Sequence, residues 1–266
     1  AVDEVSARVF DDSHSQPSYW AGICSCGVYC ISPFSVVHAG RGPMVLGPLS
    51  KTSNDENEDT TIATLPAHNI MIDRLLATPD VEATLATSIG VKEAQLQKLV
   101  VNAMINPLTT IFRCKNGQLF DKPSRLALMK VLLEETGQIV RALHPAKLET
   151  SSVSVLTDEI LLEMILRVAE KTGECKSSML QDVEAERPTE IDYINGYLVK
   201  QAKRLGLPCV NNSIIVDLVR QRRVIQVDEL QSIFEWPLVE RASASLNGLS
   251  GRQKGRVDVE VARVVE

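Results

Sequence analysis

The residue pattern changes character near residue 90, and this change constrains the fold more than any other feature of the chain. Between residues 17 and 49, short apolar runs alternate with Gly and Pro, a pattern typical of β-strands separated by turns. From about Val91 onward, the apolar residues recur at helical spacing instead. The sequence therefore predicts a short α/β region followed by a larger helical domain.

The individual elements follow from the same patterns. In the first part, we predict a helix at Asn69–Leu76 and a strand at Val81–Ile89. In the second part, Pro and Gly residues separate the helical stretches, and Pro107 is expected to end the first of them. The predicted helices are Lys92–Asn106, Arg125–Leu143, Thr157–Thr172, Glu190–Leu205 and Ser213–Val227.

Two segments have no pattern that would face a core. Residues 50–61 are polar and acidic, and we expect a loop insertion there. The tail, residues 242–266, is rich in Gly, Ser and charged residues, and we expect it to be disordered. The predicted domains are accordingly residues 1–89 for the α/β part and residues 90–241 for the helical part.

Charge and hydropathy argue against several classes of function. Lys and Arg number 28 against 34 Asp and Glu, which gives a formal net charge of −6 and argues against a nucleic-acid partner. No apolar run approaches the roughly 18 residues of a membrane span, and no signal-peptide pattern begins the chain. We therefore expect neither a nucleic-acid nor a membrane partner. The cytoplasm is the expected compartment, with the mitochondrion as the alternative if a leader precedes this sequence.

The six cysteines do not form a recognisable metal-binding pattern. Three of them crowd into the segment CSCGVYC, residues 24–30. The spacing C-x-C-x3-C, with no matching Cys or His pair nearby, fits no common zinc framework. We interpret the cysteines as free buried thiols and predict no metal site.

The segment Lys92–Asn106 is the most informative for function. Its apolar residues lie nearly all round the helix, which predicts that the helix is buried. Lys98, Asn102 and Asn106 nevertheless recur at i, i+4 and i+8 and so share one face. Because buried polar groups need partners, this face belongs either to an internal hydrogen-bond network or to a ligand cleft. A buried Lys would have a lowered pKa and would suit proton donation to a carbonyl substrate.

A second polar segment begins at Pro188. Pro188 and Thr189 mark a helix start, with Thr189 as the candidate N-cap. Glu190 and Asp192 then fall in the first turn, where carboxylates complement the helix dipole. Alternatively, Glu190 lies at the mouth of the Lys98 cleft, and spacing does not choose between the two interpretations.

Two stretches of the chain resemble the signature sequences of the ketopantoate reductase (2-dehydropantoate 2-reductase) family. They are KLVVNAMINPLTTIFRCKNGQL, which contains Lys98, and SSMLQDVEAERPTEIDYINGYLVKQAKRLGLP, which contains Glu190. The upstream piece PFSVVHAGRGPMVLGPL is similar to the end of the family's nucleotide domain, particularly in fungal-type members. The resemblance runs from about Ser18 to Arg223. It implies an α/β remnant of a Rossmann-type nucleotide domain, followed by an all-α C-terminal domain like that of 6-phosphogluconate dehydrogenase.

The resemblance also implies an activity, the NADPH-dependent reduction of ketopantoate to pantoate in pantothenate and coenzyme A biosynthesis. It implies catalytic roles for Lys98, as the proton donor, and for Glu190, which borders both substrate and cofactor. Gly27 falls where the nucleotide domain meets the cofactor. The residues implied to bind the 2-keto acid substrate are Asn102, Asn106, Asn116, Cys175, Ser177 and Ser178.

The sequence departs from the family pattern in two places. Cys175 stands where the family commonly has Asn. The G-x-G-x-x-G turn, which holds a pyrophosphate at a helix N-terminus, is absent from the sequence. The only similar segment, Gly40-Arg41-Gly42, is followed by a predicted strand rather than a helix. We therefore expect an N-terminally truncated reductase that by itself binds NADPH weakly.

Two other functions stay open beside ketopantoate reduction. The chain is alternatively a non-catalytic helical module of the same family, used for binding or dimerisation. It is alternatively a reductase of another small 2-keto acid. A homodimer formed through the helical domain is a further expectation.

Overall fold

The computed structural model describes residues 8–10, 19–49, 70–144 and 155–236. The predicted acidic loop at residues 50–61 and the predicted tail at residues 242–266 lie outside the described residues. The predicted helix Asn69–Leu76 starts one residue before the described part and is otherwise confirmed by Ile70–Leu76.

The described residues from Trp20 to Pro48 form β-strands and turns, as predicted. The described strands are β1 (Trp20–Cys24), β2 (Gly27–Ser32), β3 (Ser35–Gly40), β4 (Met44–Pro48) and β5 (Ala83–Leu85). One sheet has the strand order β1-β4-β5, in which β1 and β4 are antiparallel and β4 and β5 are parallel. Strands β2 and β3 pair in a separate antiparallel hairpin.

The remainder of the described chain is mostly helical. The α-helices are α1 (Ile70–Leu76), α2 (Ser88–Phe112), α3 (Pro123–Ala142), α4 (Asp158–Lys171), α5 (Ser178–Glu184), α6 (Asn195–Leu205), α7 (Val210–Arg220) and α8 (Leu230–Ile233). Short 3-10 helices lie at Pro79–Val81, Gly117–Phe120, Ile191–Tyr193 and Val227–Glu229. None of the helices in the described ranges is long and apolar enough to cross a membrane.

Helix α2 is the centre of the fold. It packs against α3, α4, α5 and α7 on the helical side and against β1 and β4 on the sheet side. Its second half is buried on every side, from Ala103 to Phe112, in one apolar cluster with residues of the surrounding helices. The sheet and the helical core therefore share this one element.

Local signals set several helix starts where sequence analysis expects them. Thr157 caps α4 by accepting a hydrogen bond from the backbone N–H of Ile160 at 3.3 Å, and Thr87 caps α2 in the same way through Gly90 at 3.2 Å. At the end of α6, Gly206 adopts φ = 69°, a left-handed conformation that glycine accepts without strain. The predicted helices Arg125–Leu143 and Thr157–Thr172 are confirmed to within two residues.

The predicted end of the first long helix at Pro107 is wrong. Helix α2 runs through Pro107 and ends at Phe112, with a length of 25 residues. A proline lacks the N–H that would bond to the carbonyl four residues earlier, here Ala103. The side-chain amide of Asn195, on α6, donates to that carbonyl oxygen at 3.0 Å. A distant side chain thus replaces the missing backbone donor, and the helix continues.

The predicted strand Val81–Ile89 is mostly wrong. Only Ala83–Leu85 pairs with β4, in parallel. The capping of α2 by Thr87 assigns Ser88 and Ile89 to the helix instead. The transition from sheet to helix therefore falls between Leu85 and Ser88, while the domain division at residues 89 and 90 stays a prediction.

Two further helix predictions have wrong bounds. The predicted helix Glu190–Leu205 is interrupted, since a 3-10 helix at Ile191–Tyr193 precedes α6. The predicted helix Ser213–Val227 begins at Val210 and ends at Arg220. Its start is set by tertiary contact, because the Glu135 carboxylate of α3 accepts from the backbone N–H groups of Asn211 and Asn212.

Beyond Arg220 the chain is also held from a distance. Arg222 has φ = 53°, and the backbone N–H of Ile225 donates to the carbonyl of Ile111 on α2 at 3.0 Å.

The helix Ser178–Glu184 was not predicted, although Ser177 caps it through the N–H of Leu180. Two serines followed by apolar residues at helical spacing were the signal for it.

Candidate functional site

Lys98 is exposed, so its predicted burial is wrong. The flanking residues Leu96 and Val100 are buried, which means that the first half of α2 is buried on one side only. The Lys98 ammonium extends toward the sheet and donates to the backbone carbonyl of Cys24, at the end of β1, at 2.5 Å. The sheet therefore positions the lysine, and the solvent-facing ammonium stays accessible.

The polar stripe of α2 passes from the surface into the core. Asn102 is half-buried, one turn after the exposed Lys98, and Asn106 is only 7% exposed. The stripe covers about 12 Å along the helix axis, from residue 98 to residue 106. A ligand approaching the stripe would reach Lys98 and Asn102 from solvent, while Asn106 would lie at the closed end.

Thr109 joins the stripe to the second signature segment. Its hydroxyl lies 2.7 Å from the Ser177 hydroxyl, and it also bonds to the carbonyl of Asn106 at 3.0 Å. Ser177 is 5% exposed and Thr109 is fully buried. Ser177 therefore has a structural explanation, as the N-cap of α5 and the partner of Thr109, whereas the adjacent Ser178 is exposed.

Asn116 lies in a neighbouring cluster of polar residues. Its backbone N–H donates to the carbonyl of Cys175 at 3.0 Å, and its side-chain amide donates to the Thr172 hydroxyl at 2.8 Å. The side-chain oxygen of Asn116 is buried and has no hydrogen-bond partner among the described residues. The Cys175 residue itself is exposed. The structure therefore brings the backbones of Asn116 and Cys175 together, while the implied contact of both residues with substrate stays a prediction.

Glu190 is exposed at the residue before the 3-10 helix Ile191–Tyr193. Thr189, the predicted N-cap, does not cap it, and no side chain does so. Asp192 forms an ion pair with Arg220 of α7 at 2.7 Å, so Asp192 has a structural role in joining these two elements. The carboxylate of Glu190 faces solvent instead. That Glu190 and Lys98 line one cleft stays a prediction.

The described residues do not fit the pyrophosphate of a dinucleotide. Gly40 ends β3, and Gly42 precedes β4, so neither opens a helix. Gly42 has a packing explanation, because an added Cβ would lie 2.4 Å from the carbonyl oxygen of Ser25. Gly27, the implied cofactor contact, lies at the start of β2, where an added Cβ would meet only the Gly40 nitrogen, at 3.7 Å. The cofactor-binding role of Gly27 stays a prediction.

A groove of about 220 Å³ lies beside α2 and is lined by Lys92, Gln95, Leu96, Leu99, Tyr193 and Tyr197. None of the site residues implied by the resemblance lines it. The groove occupies the face of α2 next to the polar stripe, near the segment that carries Glu190. We place the candidate site on the polar stripe, because the ammonium and amide groups lie there rather than in this groove.

Two residues that sequence analysis did not single out support the site. Asn195 and Thr109 are fully buried, and they donate to carbonyls of α2 near Asn106: Asn195 to Ala103, and Thr109 to Ile105 and Asn106 itself. The signal for Thr109 was a polar residue two positions after the helix proline, Pro107. The signal for Asn195 was an Asn-Gly pair inside a helical pattern. Among the described residues, no group of three or more His, Cys, Asp or Glu side chains is placed to hold a metal ion.

Comparisons with known proteins show a family match that contains these residues. The family described as "Ketopantoate reductase PanE/ApbA C terminal" matches residues 90–223, which include the polar stripe, α5 and Glu190. A probable 2-dehydropantoate 2-reductase of Schizosaccharomyces pombe is 29% identical over 231 residues, which cover 84% of this chain. A ketoisovalerate reductase of Gibberella fujikuroi is 30% identical over 222 residues, covering 73% of this chain and 48% of that protein.

A solved structure shows the same fold. The crystal structure of a probable 2-dehydropantoate 2-reductase from Bacillus subtilis has a TM-score of 0.59 and 28% sequence identity, over 82% of this chain and 65% of that one. The predicted organisation, an α/β region of Rossmann type followed by a helical domain, is thereby confirmed. The chain spans 63% of the length of the Schizosaccharomyces pombe relative.

Proposed function

The chain belongs to the ketopantoate reductase family, and from this premise we propose that it carries the substrate-binding and proton-donating residues of an enzyme that reduces ketopantoate to pantoate with NADPH. One observation carries the proposal. Lys98, Asn102 and Asn106 share one face of α2 inside the family match, and the exposed end of that face is an accessible ammonium.

The proposed role of Lys98 is to donate a proton to the 2-keto oxygen. Reduction builds negative charge on that oxygen, and a cation already in place stabilises the charge most in the transition state. An ammonium has three N–H donors, and the Cys24 carbonyl takes one of those on Lys98. The exposed side chain leaves the others accessible to a substrate oxygen. The backbone of β1 thus orients the donor without neutralising it.

Asn102 and Asn106 supply neutral hydrogen-bonding groups next to the lysine. Asn102 lies one turn from Lys98 on the same face and is half-buried, so it can hold a substrate hydroxyl or carboxylate beside the carbonyl. Asn116, whose buried side-chain oxygen has no partner among the described residues, is a second candidate for a polar contact with the substrate. Ser178, Cys175 and Glu190 are proposed to complete the rim, since all three are exposed.

The hydride is proposed to come from NADPH, in keeping with a family of nicotinamide-dependent oxidoreductases. The described residues hold no pyrophosphate site, so only the substrate side of the reaction is derived from them. Glu190 and Gly27 are proposed to border the nicotinamide end of the cofactor.

Another small 2-keto acid is the second candidate substrate. The observation that favours it is the similarity to the ketoisovalerate reductase of Gibberella fujikuroi, at 30% identity. Ketoisovalerate has the same 2-keto acid group, so Lys98 would have the same role with either substrate. The two candidates differ at C3, where ketopantoate has a hydroxymethyl group and ketoisovalerate has hydrogen.

Steady-state kinetics of the protein expressed from its complete gene tests both candidates. We expect NADPH oxidation with ketopantoate at a higher kcat/KM than with ketoisovalerate, and the reverse order would select the second candidate. Lys98→Ala should lower kcat by about 10²–10⁴-fold, the usual range for loss of a general acid. Asn102→Ala should mainly raise KM, because a neutral hydrogen bond forms in both ground and transition states.

Lys200→Ala is the matched control, because Lys200 is an exposed lysine on α6 outside the stripe. It should leave both constants unchanged. A folded Lys98→Ala protein that keeps kcat within a factor of about three would contradict the role of Lys98. Absence of turnover with either keto acid would favour the non-catalytic module.

We further propose a homodimer formed through the helical domain, in the cytoplasm. The many apolar residues of this domain motivate the first proposal. Light scattering on the purified protein tests the dimer, and a monomer mass would contradict it.

Fluorescence microscopy of the tagged complete protein tests the proposed cytoplasmic compartment, and a mitochondrial signal would contradict it.

A further inference from the structure

Two cysteine side chains meet at the turn between β1 and β2. The sulfur atoms of Cys24 and Cys26 lie 2.8 Å apart, and both residues are half-buried. Alpha-carbons two residues apart are separated by at most about 7 Å, and disulfides bridge alpha-carbons at about 4.4–6.8 Å. The pair is therefore close to the geometry that a disulfide needs, without rearrangement of distant elements.

The turn is held in place by its neighbours. The backbone N–H of Ser25, between the two cysteines, donates to the carbonyl of Pro43 at 3.1 Å. On the other side, the Ser25 carbonyl packs so closely against Gly42 that a Cβ there would lie 2.4 Å away. The approach of the two thiols is thus imposed by the sheet and does not depend on a freely moving loop.

The two thiols are chemically unequal. The hydrogen bond from Cys26 lowers the pKa of Cys24, and the nearby positive charge of Lys98 lowers it further. The same hydrogen bond raises the pKa of Cys26. Lys98 is anchored at this place because its ammonium donates to the Cys24 carbonyl. Cys24 is therefore the better nucleophile of the pair, since the thiolate is the reactive form.

We propose that Cys24 and Cys26 form a redox-sensitive dithiol site, which hydrogen peroxide oxidises reversibly to an intramolecular disulfide. The Cys24 thiolate attacks one peroxide oxygen, the O–O bond breaks, and with one proton a molecule of water leaves, so that Cys24 becomes a sulfenic acid. The Cys26 sulfur then attacks the Cys24 sulfur, the S–O bond breaks, and a second water leaves. In total, two thiols and one hydrogen peroxide give one disulfide and two waters. A dithiol reductant reverses the change by two exchange steps.

The site lies outside the proposed substrate contacts, and it does not depend on the proposed reduction of a keto acid. Lys98 is the link between the two, because the same ammonium that is proposed to serve the substrate contacts the carbonyl of Cys24. Oxidation can therefore be measured on the 266-residue chain without any assay of enzyme activity.

Peptide mass spectrometry tests the proposal directly. Trypsin releases residues 9–41 as one peptide that also contains Cys30, so the experiment uses a Cys30→Ser background. After limited treatment with hydrogen peroxide and alkylation, we expect this peptide to be lighter by two hydrogens and to carry no alkyl group. Reduction with dithiothreitol before alkylation should restore two alkylation sites. A peptide that stays fully alkylated after peroxide, or that is cross-linked to another chain, would overturn the proposal.

Single variants assign the order of the steps. Cys26→Ser should accumulate a sulfenic acid on Cys24, trapped by dimedone, whereas Cys24→Ser should give little dimedone adduct on Cys26. The opposite assignment would overturn the role of Cys24 as the nucleophile. Lys98→Met should slow disulfide formation about twofold or more by removing the charge that favours the thiolate. An unchanged rate in a protein with the same helix content would overturn the role of Lys98.

Discussion

At the scale of single residues, environment separates the cysteines into reactive and inert thiols. Burial, together with the Glu135 carboxylate, raises the pKa of Cys209 to about 12. Burial likewise raises the pKa of Cys114, although the charge of Arg125 opposes the change. Cys175, by contrast, is exposed at the rim of the proposed site. The cysteines were expected to be free buried thiols. Cys114 is buried, whereas Cys24, Cys26 and Cys209 are only partly buried.

We predict that alkylation discriminates between Cys175 and Cys209. At pH 8, a thiol with a pKa of about 12 is ionised to only about one part in ten thousand, so Cys209 should react with iodoacetamide far more slowly than Cys175. Because the folded-state pKa is raised, labelling of Cys209 should accelerate as the pH rises toward 10. Time-resolved mass spectrometry measures both rates, and equal rates at pH 8 would contradict the prediction.

At the scale of elements, the continuity of α2 depends on a side chain from another helix. The Asn195 amide donates to the Ala103 carbonyl, which Pro107 leaves without its backbone partner, and also to the side chain of Asn212 at 3.0 Å. Asn212 in turn donates to the Glu135 carboxylate at 2.9 Å. Buried polar groups joined in this way reinforce one another, so this network fixes the part of α2 that carries Asn106.

We predict that Asn195→Ala lowers the free energy of unfolding by about 1–3 kcal/mol, because it leaves a buried carbonyl unpaired. The loss should depend on Pro107. In a Pro107→Ala background, the new backbone N–H can bond to Ala103, so Asn195→Ala should cost about 1 kcal/mol less. Urea unfolding of the two single variants, the double variant and the parent protein measures this coupling. Equal losses in both backgrounds would show that Asn195 does not replace the missing donor.

At the scale of the whole molecule, α2 joins the sheet to the helical core through a very close contact. A Cβ on Gly47 of β4 would lie 2.4 Å from both the Ala86 carbonyl oxygen and a methyl group of Val91, which is fully buried on α2. The strand can approach the helix this closely only because residue 47 has no side chain. The placement of Lys98 against β1 depends on the same packing of the sheet on α2.

We predict that Gly47→Ala separates β4 from α2 and lowers the free energy of unfolding by about 1–3 kcal/mol, the usual cost of overpacking. Gly40→Ala is the matched control, because a Cβ at this strand position meets no atom within 4 Å. Urea unfolding midpoints compare the two variants with the parent protein. A Gly47→Ala protein as stable as the Gly40→Ala protein would show that the contact relaxes without cost.

Local signals in the sequence determined the order of β-structure and helices, the helices α3 and α4, and the shared face of Lys98, Asn102 and Asn106. Periodicity and capping act between residues within a few positions of each other, so they can be recognised without a structure. The two signature stretches likewise placed the chain in its family, because their residues are contiguous.

Contacts between residues far apart in sequence decided the rest. The continuation of α2 through Pro107 depends on Asn195, which lies 92 positions from the Ala103 carbonyl that it bonds. The start of α7 depends on Glu135, about 76 positions away. Lys98 lies against β1 because its ammonium donates to the carbonyl of Cys24, 74 positions earlier. Hydrogen bonds of this kind replace or override local preferences, and only the tertiary structure shows which donor meets which acceptor.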